Sequence, residues 1–479
     1  MIVQDKLFID GSFVPSSGTE QITLISPVTE EPFGAVPAGT KADVDRAVAA
    51  ARQAFDSGPW PRLSVTERAD KLAQLARALE KRIDEIAAMV SSENGVPLLF
   101  SIPAEGQGAV AFTDYTASMI RDYSFREVRA GLAGTEVEVS KVPVGVVAAI
   151  VPWNAPLLLA LLKVIPALAV GCTVVWKPAP ETALDSYLFV EALEEVGFPA
   201  GVVNIVAADR EVGEHLVTHP GVDKVAFTGS TAAGRRIASL CGELLRPVTL
   251  ELGGKSPAIL LDDVDLAAAL PQLAAISLMM NGQACVLQSR LLIPRSLYSS
   301  VVDALAEAYR QFPVGDPLNP GTFTGPLVAE RQRDRVEGYI ASAQREGAKL
   351  AAGGGRPAHL DKGWYVEPTL FADVDNRMQI AREEVFGPVV CAIPYDDVED
   401  AIAIANDTPY GLAGSVWSSD IDRASTVARR IDAGGVTVNG LAWEFNCPMG
   451  GLKASGMGRE MGPEGVSAYL EYKTMGVTK

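Results

Sequence analysis

Apolar residues recur at three- and four-residue spacing through 41–58 ("KADVDRAVAAARQAFDSG") and 65–93, a period that predicts amphipathic helices packed on a larger body. From residue 141 the pattern changes. Short β-branched runs, "VGVVAAIV", "CTVVWK", "GVVNIVA" and "DKVAFTGS", are separated by stretches long enough for helices, which predicts a parallel, doubly wound α/β sheet. A second alternating region carries "PAILLDD" (257–263), "SRLLIPRSL" (289–297), "EVFGPVVCAIPYD" (384–396), "GSVWS" (414–418) and "GGVTVNG" (434–440), the strands of a second α/β unit. Residues 121–140 and the C-terminal "SAYLEYKTMGVTK" read as strands with no home in a sheet of their own chain, so they are expected to pair with another subunit. No helix start follows Gly353, Gly354 and Gly355, which predicts a surface turn there.

At 479 residues the chain is too long for one core and suggests roughly three structural units. With 48% hydrophobic and 21% charged residues it is a folding composition. The net charge of −18 argues against nucleic-acid or anionic-membrane partners, because phosphate binding is driven by Lys and Arg. The longest apolar run, "APLLLALLKVIPALAV" (155–170), holds Lys163 and Pro166 and is too short to span a bilayer, so it predicts a buried helix. Five scattered cysteines without CxxC or Cys/His spacing, and no secretory signal at the start, fit a reducing, cytoplasmic setting. His215 and His219 are four apart but lack a third ligand, so no metal is expected.

Five short stretches could carry chemistry. "FTGSTAAG" (227–234) runs a strand into Gly229, Ser230 and a helix start, which suits either a diphosphate at the helix N-terminus or an ordinary Ser/Thr cap. "TVVWKPAPET" (173–182) delivers Lys177 to a strand's carboxyl end, as a ribose or phosphate contact or as a solvated lysine. In "IVPWNAP" (150–156) two prolines flank Trp153 and Asn154, so the Asn154 amide is aimed, either as an oxyanion donor or as part of a turn. Glu251 precedes two glycines in "ELGGKSP", a general base if buried and a loop glutamate if not. Cys285 in "NGQACVLQSR" (281–290) needs activation to be a nucleophile, since a free thiol titrates near 8.5.

Together "PWN", "KPAPET", "FTGSTAAG", "ELGGKSP", "GQACVLQSR", "EEVFGPV" and "PMGGLKASGMGRE" resemble the aldehyde dehydrogenase superfamily in order and spacing, including the 34 positions from Glu251 to Cys285. The resemblance spans nearly the whole chain. It implies a Rossmann-like cofactor domain (1–120 and 141–250), a second α/β catalytic domain (251–440) and a small β oligomerisation arm (121–140 and 463–479) in a homodimer or homotetramer. It further implies oxidation of an aldehyde to the acid with NAD, NADP being possible, through a thiohemiacetal and a thioester on Cys285. Asn154 would hold the oxyanion and Glu251 would activate the hydrolytic water. Trp153, Lys177, Gly229, Ser230, Leu252, Glu384 and Phe386 would contact the cofactor, with Lys163 supporting Asn154 and Glu460 serving proton relay.

Two departures from the pattern bear on specificity. Pro180 stands where relatives that grip the adenosine ribose carry a carboxylate, and Glu181 follows it. Ala155 replaces a phenylalanine common after Asn154, and Leu162 stands where members acting on a carboxylate-bearing aldehyde carry arginine. With Leu158, Leu161, Trp443 and Phe445 these residues predict a roomy apolar substrate tunnel. The alternatives left open are a betaine-aldehyde substrate caged by Trp443, acyl transfer to coenzyme A, and a non-catalytic binding protein with this fold.

Overall fold

The computed structural model describes residues 1–132 and 134–477. Helices Lys41–Asp56 and Val65–Glu80 begin in capping boxes, Thr40 with Asp43 and Ser64 with Glu67, and Ile83–Asn94 stops at Gly95 in a left-handed conformation (φ 79°). All three lie within the amphipathic stretches seen in the sequence. The predicted strands are present, and they build two separate sheets.

The first sheet has eight strands in the order Gly456–Met457, Val248–Glu251, Lys224–Thr228, Val146–Ile150, Thr173–Lys177, Val203–Ile205, Leu7–Ile9, Ser12–Val14. Its five central strands are parallel. From Val146–Ile150 the chain winds one way through Thr173–Lys177 and Val203–Ile205, then returns to lay Lys224–Thr228 on the other side. The switch point therefore falls where Ile150 and Thr228 end, the edge at which open α/β sheets take ligands.

Helix Pro156–Val170 crosses one face of this sheet, and every one of its residues is buried. Pro156 at its first position and Gly171 beyond its end (φ 99°) bound it, as the termini of a helix require. Each fully buried leucine there contributes roughly 1.5–3 kcal/mol of transfer free energy. No helix among the described residues is long and apolar enough to cross a membrane.

The second sheet has seven strands in the order Lys349–Ala352, Thr369–Ala372, Val389–Tyr395, Arg290–Pro294, Pro257–Leu260, Ala413–Trp417, Gly435–Val438, all parallel except the first. Each large sheet carries an apolar layer on both faces. Gly353 and Gly354 lie beyond Lys349–Ala352 in left-handed conformations, with no helix after them, as predicted.

One expectation is corrected. The orphan segments do have a sheet of their own: Leu470–Val477 pairs antiparallel with Glu136–Pro143, which pairs with Arg126–Ala130. The eight-residue ladder joins positions more than 300 residues apart, and no local periodicity reports such a partner. The N-terminal three-stranded sheet formed by Ile2–Val3, Gln21–Ile25 and Pro32–Pro37 was also not anticipated.

Candidate active site

The turn 151–156 leaves the first sheet at its switch point and leads into helix Pro156–Val170. Across from it, strand Lys224–Thr228 ends at Gly229, and the hydroxyl of Ser230 caps helix Thr231–Glu243 by accepting the Ala233 N–H at 3.3 Å. The Gly229 N–H donates to the Glu251 carbonyl at 3.0 Å. It is therefore committed to the strand edge and is not one of the N–H groups free for a phosphate.

Cys285 arrives from the other unit on a strained loop. Met280 and Asn281 both hold left-handed backbones (φ 53° and 60°), and Gly282 follows at 72°. A side chain at Gly282 would place its Cβ 2.0 Å from the Gly387 carbonyl oxygen, so only glycine fits. Buried Asn281 locks the loop. Its Nδ2 donates to the carbonyls of Gly95 (2.8 Å) and Pro326 (2.9 Å), and its Oδ1 accepts the Gly325 N–H (2.7 Å). A Cβ on Gly254 would lie 2.4 Å from the Cys285 carbonyl oxygen, which explains the second glycine of "ELGG".

Cys285 and Asn154 line two cavities at once. On one side is a polar cleft of about 390 Å³, walled by Trp153, Thr228, Gly229, Ser230, Leu252, Gln332, Arg335, Glu384 and Phe386. It continues past Arg331 into a cavity of about 510 Å³ lined by Lys177, Pro180, Glu181 and Arg210. On the other side is an apolar cavity of about 250 Å³, walled by Phe100, Ala155, Leu158, Leu159, Met280, Trp443 and Phe445.

Burial dominates the electrostatics. The Cys285 thiol is pushed up to about 12 by desolvation and then by the nearby Glu384 and Glu251 carboxylates, opposed only by the N–H groups of Cys285 and Val286. Glu251 is held well above the usual carboxylate range, first by burial and then by Glu460; neither of its oxygens has a hydrogen-bond partner among the described residues. Fully buried Lys163 donates to Glu460 Oε1 (2.7 Å), to the Thr228 hydroxyl (2.6 Å) and to the Leu159 carbonyl (3.3 Å). Burial raises Glu384 to about 7, and its Oε1 accepts the Gly254 N–H at 2.9 Å.

In the larger adjoining cavity, burial lowers Lys177 to about 8. Its ammonium donates to the Pro178 carbonyl at 3.0 Å, and no carboxylate forms an ion pair with it among the described residues. Such a buried cation at a sheet's carboxyl edge fits a hydroxyl- or phosphate-bearing ligand. Glu181 is bound instead by Arg331 of helix Glu330–Arg345.

Most of the predicted site residues meet around Cys285, with two corrections. Leu161 and Leu162 are fully buried and do not line the apolar cavity; Leu162 shares a helix face with Leu158 but lies one turn further along the helix, within the core. Lys163 makes no bond to Asn154; its ammonium turns to Glu460, where a buried cation finds a counter-charge. Not anticipated were Gln332 and Arg335, whose side chains hold the carbonyls of Phe386 and Glu384 at 2.7 Å each, and the cavity walls Phe100 and Met280. Helix Glu330–Arg345 reads as an ordinary charged surface helix, and only its docking reveals the inner face. His215 and His219 both face Asp45, and no cluster able to hold a metal occurs among the described residues.

A polar cleft at a sheet switch point, an apolar pocket behind it and a thiol between the two are the parts of a two-substrate enzyme site. The sequence profile of the aldehyde dehydrogenase family matches residues 13–475, and the chain belongs to that family. It is accordingly an enzyme that oxidises an aldehyde to the acid with a nicotinamide cofactor. The chain is 48% identical to a geranial dehydrogenase of Castellaniella defragrans over 99% of both chains. It is 42% identical to a 3-succinoylsemialdehyde-pyridine dehydrogenase of a Pseudomonas species over 98% of both. Among solved structures, a Mycobacterium tuberculosis aldehyde dehydrogenase complexed with NAD+ superposes with a TM-score of 0.97 at 47% identity, covering 99% of this chain and 98% of that one. A Pseudomonas syringae aldehyde dehydrogenase variant complexed with NAD+ and octanal gives 0.95 at 39% identity, covering 98% and 96%.

Proposed function

We propose that this enzyme oxidises bulky apolar aldehydes with NAD as the preferred cofactor. The observation that carries the proposal is the position of Cys285 and Asn154, common to an apolar cavity of about 250 Å³ and a polar cleft. Among the described residues no charged side chain lines the apolar cavity, so a carboxylate-bearing aldehyde would have to leave water without a partner, at a cost of several kcal/mol. The geranial dehydrogenase similarity and the octanal-bound relative point to the same substrate class.

In the proposed mechanism the Cys285 thiol gives up its proton to water in the cleft as Sγ adds to the aldehyde carbon, and the oxyanion is held by the Asn154 amide and the Cys285 N–H. Trp153, Lys177, Ser230, Leu252, Glu384 and Phe386 would hold the cofactor, which when bound supplies the hydride acceptor. Once the aldehydic hydrogen has left, the acyl group remains on Cys285 as a thioester. Glu251, made a stronger base by burial, takes a proton from water in its carboxylate form; the hydroxide attacks the thioester, and the acid departs as the thiol reforms. The Lys163–Glu460 pair beside Glu251 passes that proton on. Glu181 disfavours a 2′-phosphate, while its pairing with Arg331 leaves NADP usable.

The first sheet, with its flanking helices, serves as the cofactor domain and the second as the catalytic domain. The three-stranded sheet is the oligomerisation arm of a cytoplasmic homodimer or homotetramer, with the exposed edge of Arg126–Ala130 as the docking strand.

Steady-state kcat/KM over an aldehyde panel with both nucleotides tests the substrate and cofactor assignment. Geranial and octanal should exceed butanal and betaine aldehyde by about tenfold or more, since each buried methylene is worth about 0.8 kcal/mol. NAD should exceed NADP, and added coenzyme A should leave turnover unchanged. A preference for small or charged aldehydes would overturn the assignment.

A further inference from the structure

The turn that carries Asn154 is pinned by two side chains outside both cavities. Asn94, the last residue of helix Ile83–Asn94, is fully buried, and all three of its hydrogen bonds are local to this region. Its Nδ2 donates to the carbonyls of Trp153 (3.2 Å) and Asn154 (3.1 Å), while its Oδ1 accepts the Val96 N–H (2.9 Å). Glu105 sits on a π-helical turn, Ile102–Gln107, and is also buried. Its Oε2 accepts the N–H groups of Leu157 and Leu158, each at 3.0 Å. Those are first-turn donors of helix Pro156–Val170, whose N-cap is Ala155 and which has no side-chain cap from its own sequence.

The two anchors complement the prolines. Pro152 and Pro156 fix φ at their own positions, but the peptide planes carrying the Trp153 and Asn154 carbonyls could still rotate. Asn94 holds both planes, and Glu105 holds the N–H groups immediately beyond. Asn94 is adjacent in sequence to Glu93, which accepts the N–H of Leu184 at the start of helix Asp185–Val196 at 2.7 Å, and to Gly95, whose carbonyl receives Asn281 of the cysteine loop. One buried helix end therefore fixes the Asn154 turn and the Cys285 loop against each other.

We infer that Asn94 and Glu105 are positioning residues for aldehyde oxidation, acting on the rate through the aim of the Asn154 amide at the oxyanion, a role that presupposes Asn154 as the donor proposed above. Displacements of about 1 Å in a reacting constellation can cost about 10²-fold in rate, so side chains that prevent such drift are visible in kcat.

The test is a double-mutant cycle on the purified full-length enzyme, read as the rate of NADH formation in the first turnover with octanal. N154A alone should lower that rate by about 10²–10³-fold, as loss of one oxyanion donor does. N94A and E105Q should each lower it about tenfold or more while leaving the KM for NAD within about twofold. In the N154A background either change should cost less than about twofold, because the amide they aim is gone. Equal losses in the two backgrounds, or no loss in the parent, would overturn the positioning role; an unchanged rate in N154A would instead overturn the oxyanion assignment beneath it. If N94A does not fold, N94S replaces it in the same cycle, with thermal unfolding recorded for every variant.

Discussion

The two cavities that meet at Cys285 are built by opposite means. The polar cleft draws on strand ends and on a helix of the second unit, and its key groups are charged: Lys177, Glu384 and Arg335 all border it or its extension. The apolar cavity is walled by helix sides and loop aromatics, from Leu158 and Phe100 to Trp443 and Phe445. Charged groups on the cleft side have displaced proton affinities, Lys177 to about 8 and Glu384 to about 7, because they are held out of water for a ligand to meet. No charged side chain lines the other side among the described residues. The proposed function thus separates cofactor binding from aldehyde choice, with only Cys285 and Asn154 lining both cavities among the described residues.

Removing the shared atom should give the largest effect. C285S is expected to lose about 10⁴-fold or more in kcat and to form no covalent adduct by intact-mass analysis, where the parent protein forms one. Full activity in that variant would end the covalent mechanism. E251Q should separate the half-reactions: NADH appears in a first-turnover burst, but steady-state kcat falls about 10²–10⁴-fold because water is no longer activated. A burst as slow as turnover would place Glu251 in the first half-reaction instead.

A change confined to the apolar side should alter selectivity alone. A155F fills space beside Leu158 and should lower kcat/KM for octanal about tenfold or more, with acetaldehyde and the KM for NAD nearly unchanged. If both aldehydes fall together, the two cavities are not independent.

The smallest effect concerns the buried carboxyls behind the apolar wall. Burial raises Glu93 to about 8 and Glu105 to about 7 from an ordinary 4.5. Between these limits the folded chain binds more protons than the unfolded one, so stability is greatest below about pH 4.5 for these groups and is lost as pH rises through 7 and 8. Thermal unfolding temperature should therefore decline from pH 5 to 8 on their account, and E93Q should flatten that decline. A parallel curve for E93Q would remove Glu93 from the effect.

Much of this was legible in the sequence because it is encoded locally. The β-branched runs became strands, the capped periodic stretches became helices, and "PWN", "ELGG" and "GQAC" sit where the chain must turn sharply or pass another backbone closely. What local reading missed depends on what each side chain packs against. Leu162 and Lys163 follow Leu158 on one helix, yet the first enters the core and the second finds Glu460, almost three hundred residues away. The strand pair that closes the three-stranded sheet is similarly remote.

The sequence by itself determined the fold class and the family and singled out Cys285, Glu251 and Asn154 as candidates, since strand and helix periods and ordered motifs survive in one dimension. Tertiary structure alone decided which faces line which cavity, that Asn94 and Glu105 hold the Asn154 turn, and that Gln332 and Arg335 border the cleft. The physical reason is that burial, hydrogen-bond partnership and shifted proton affinity are properties of surroundings assembled from distant segments, and these exist only once the chain has folded.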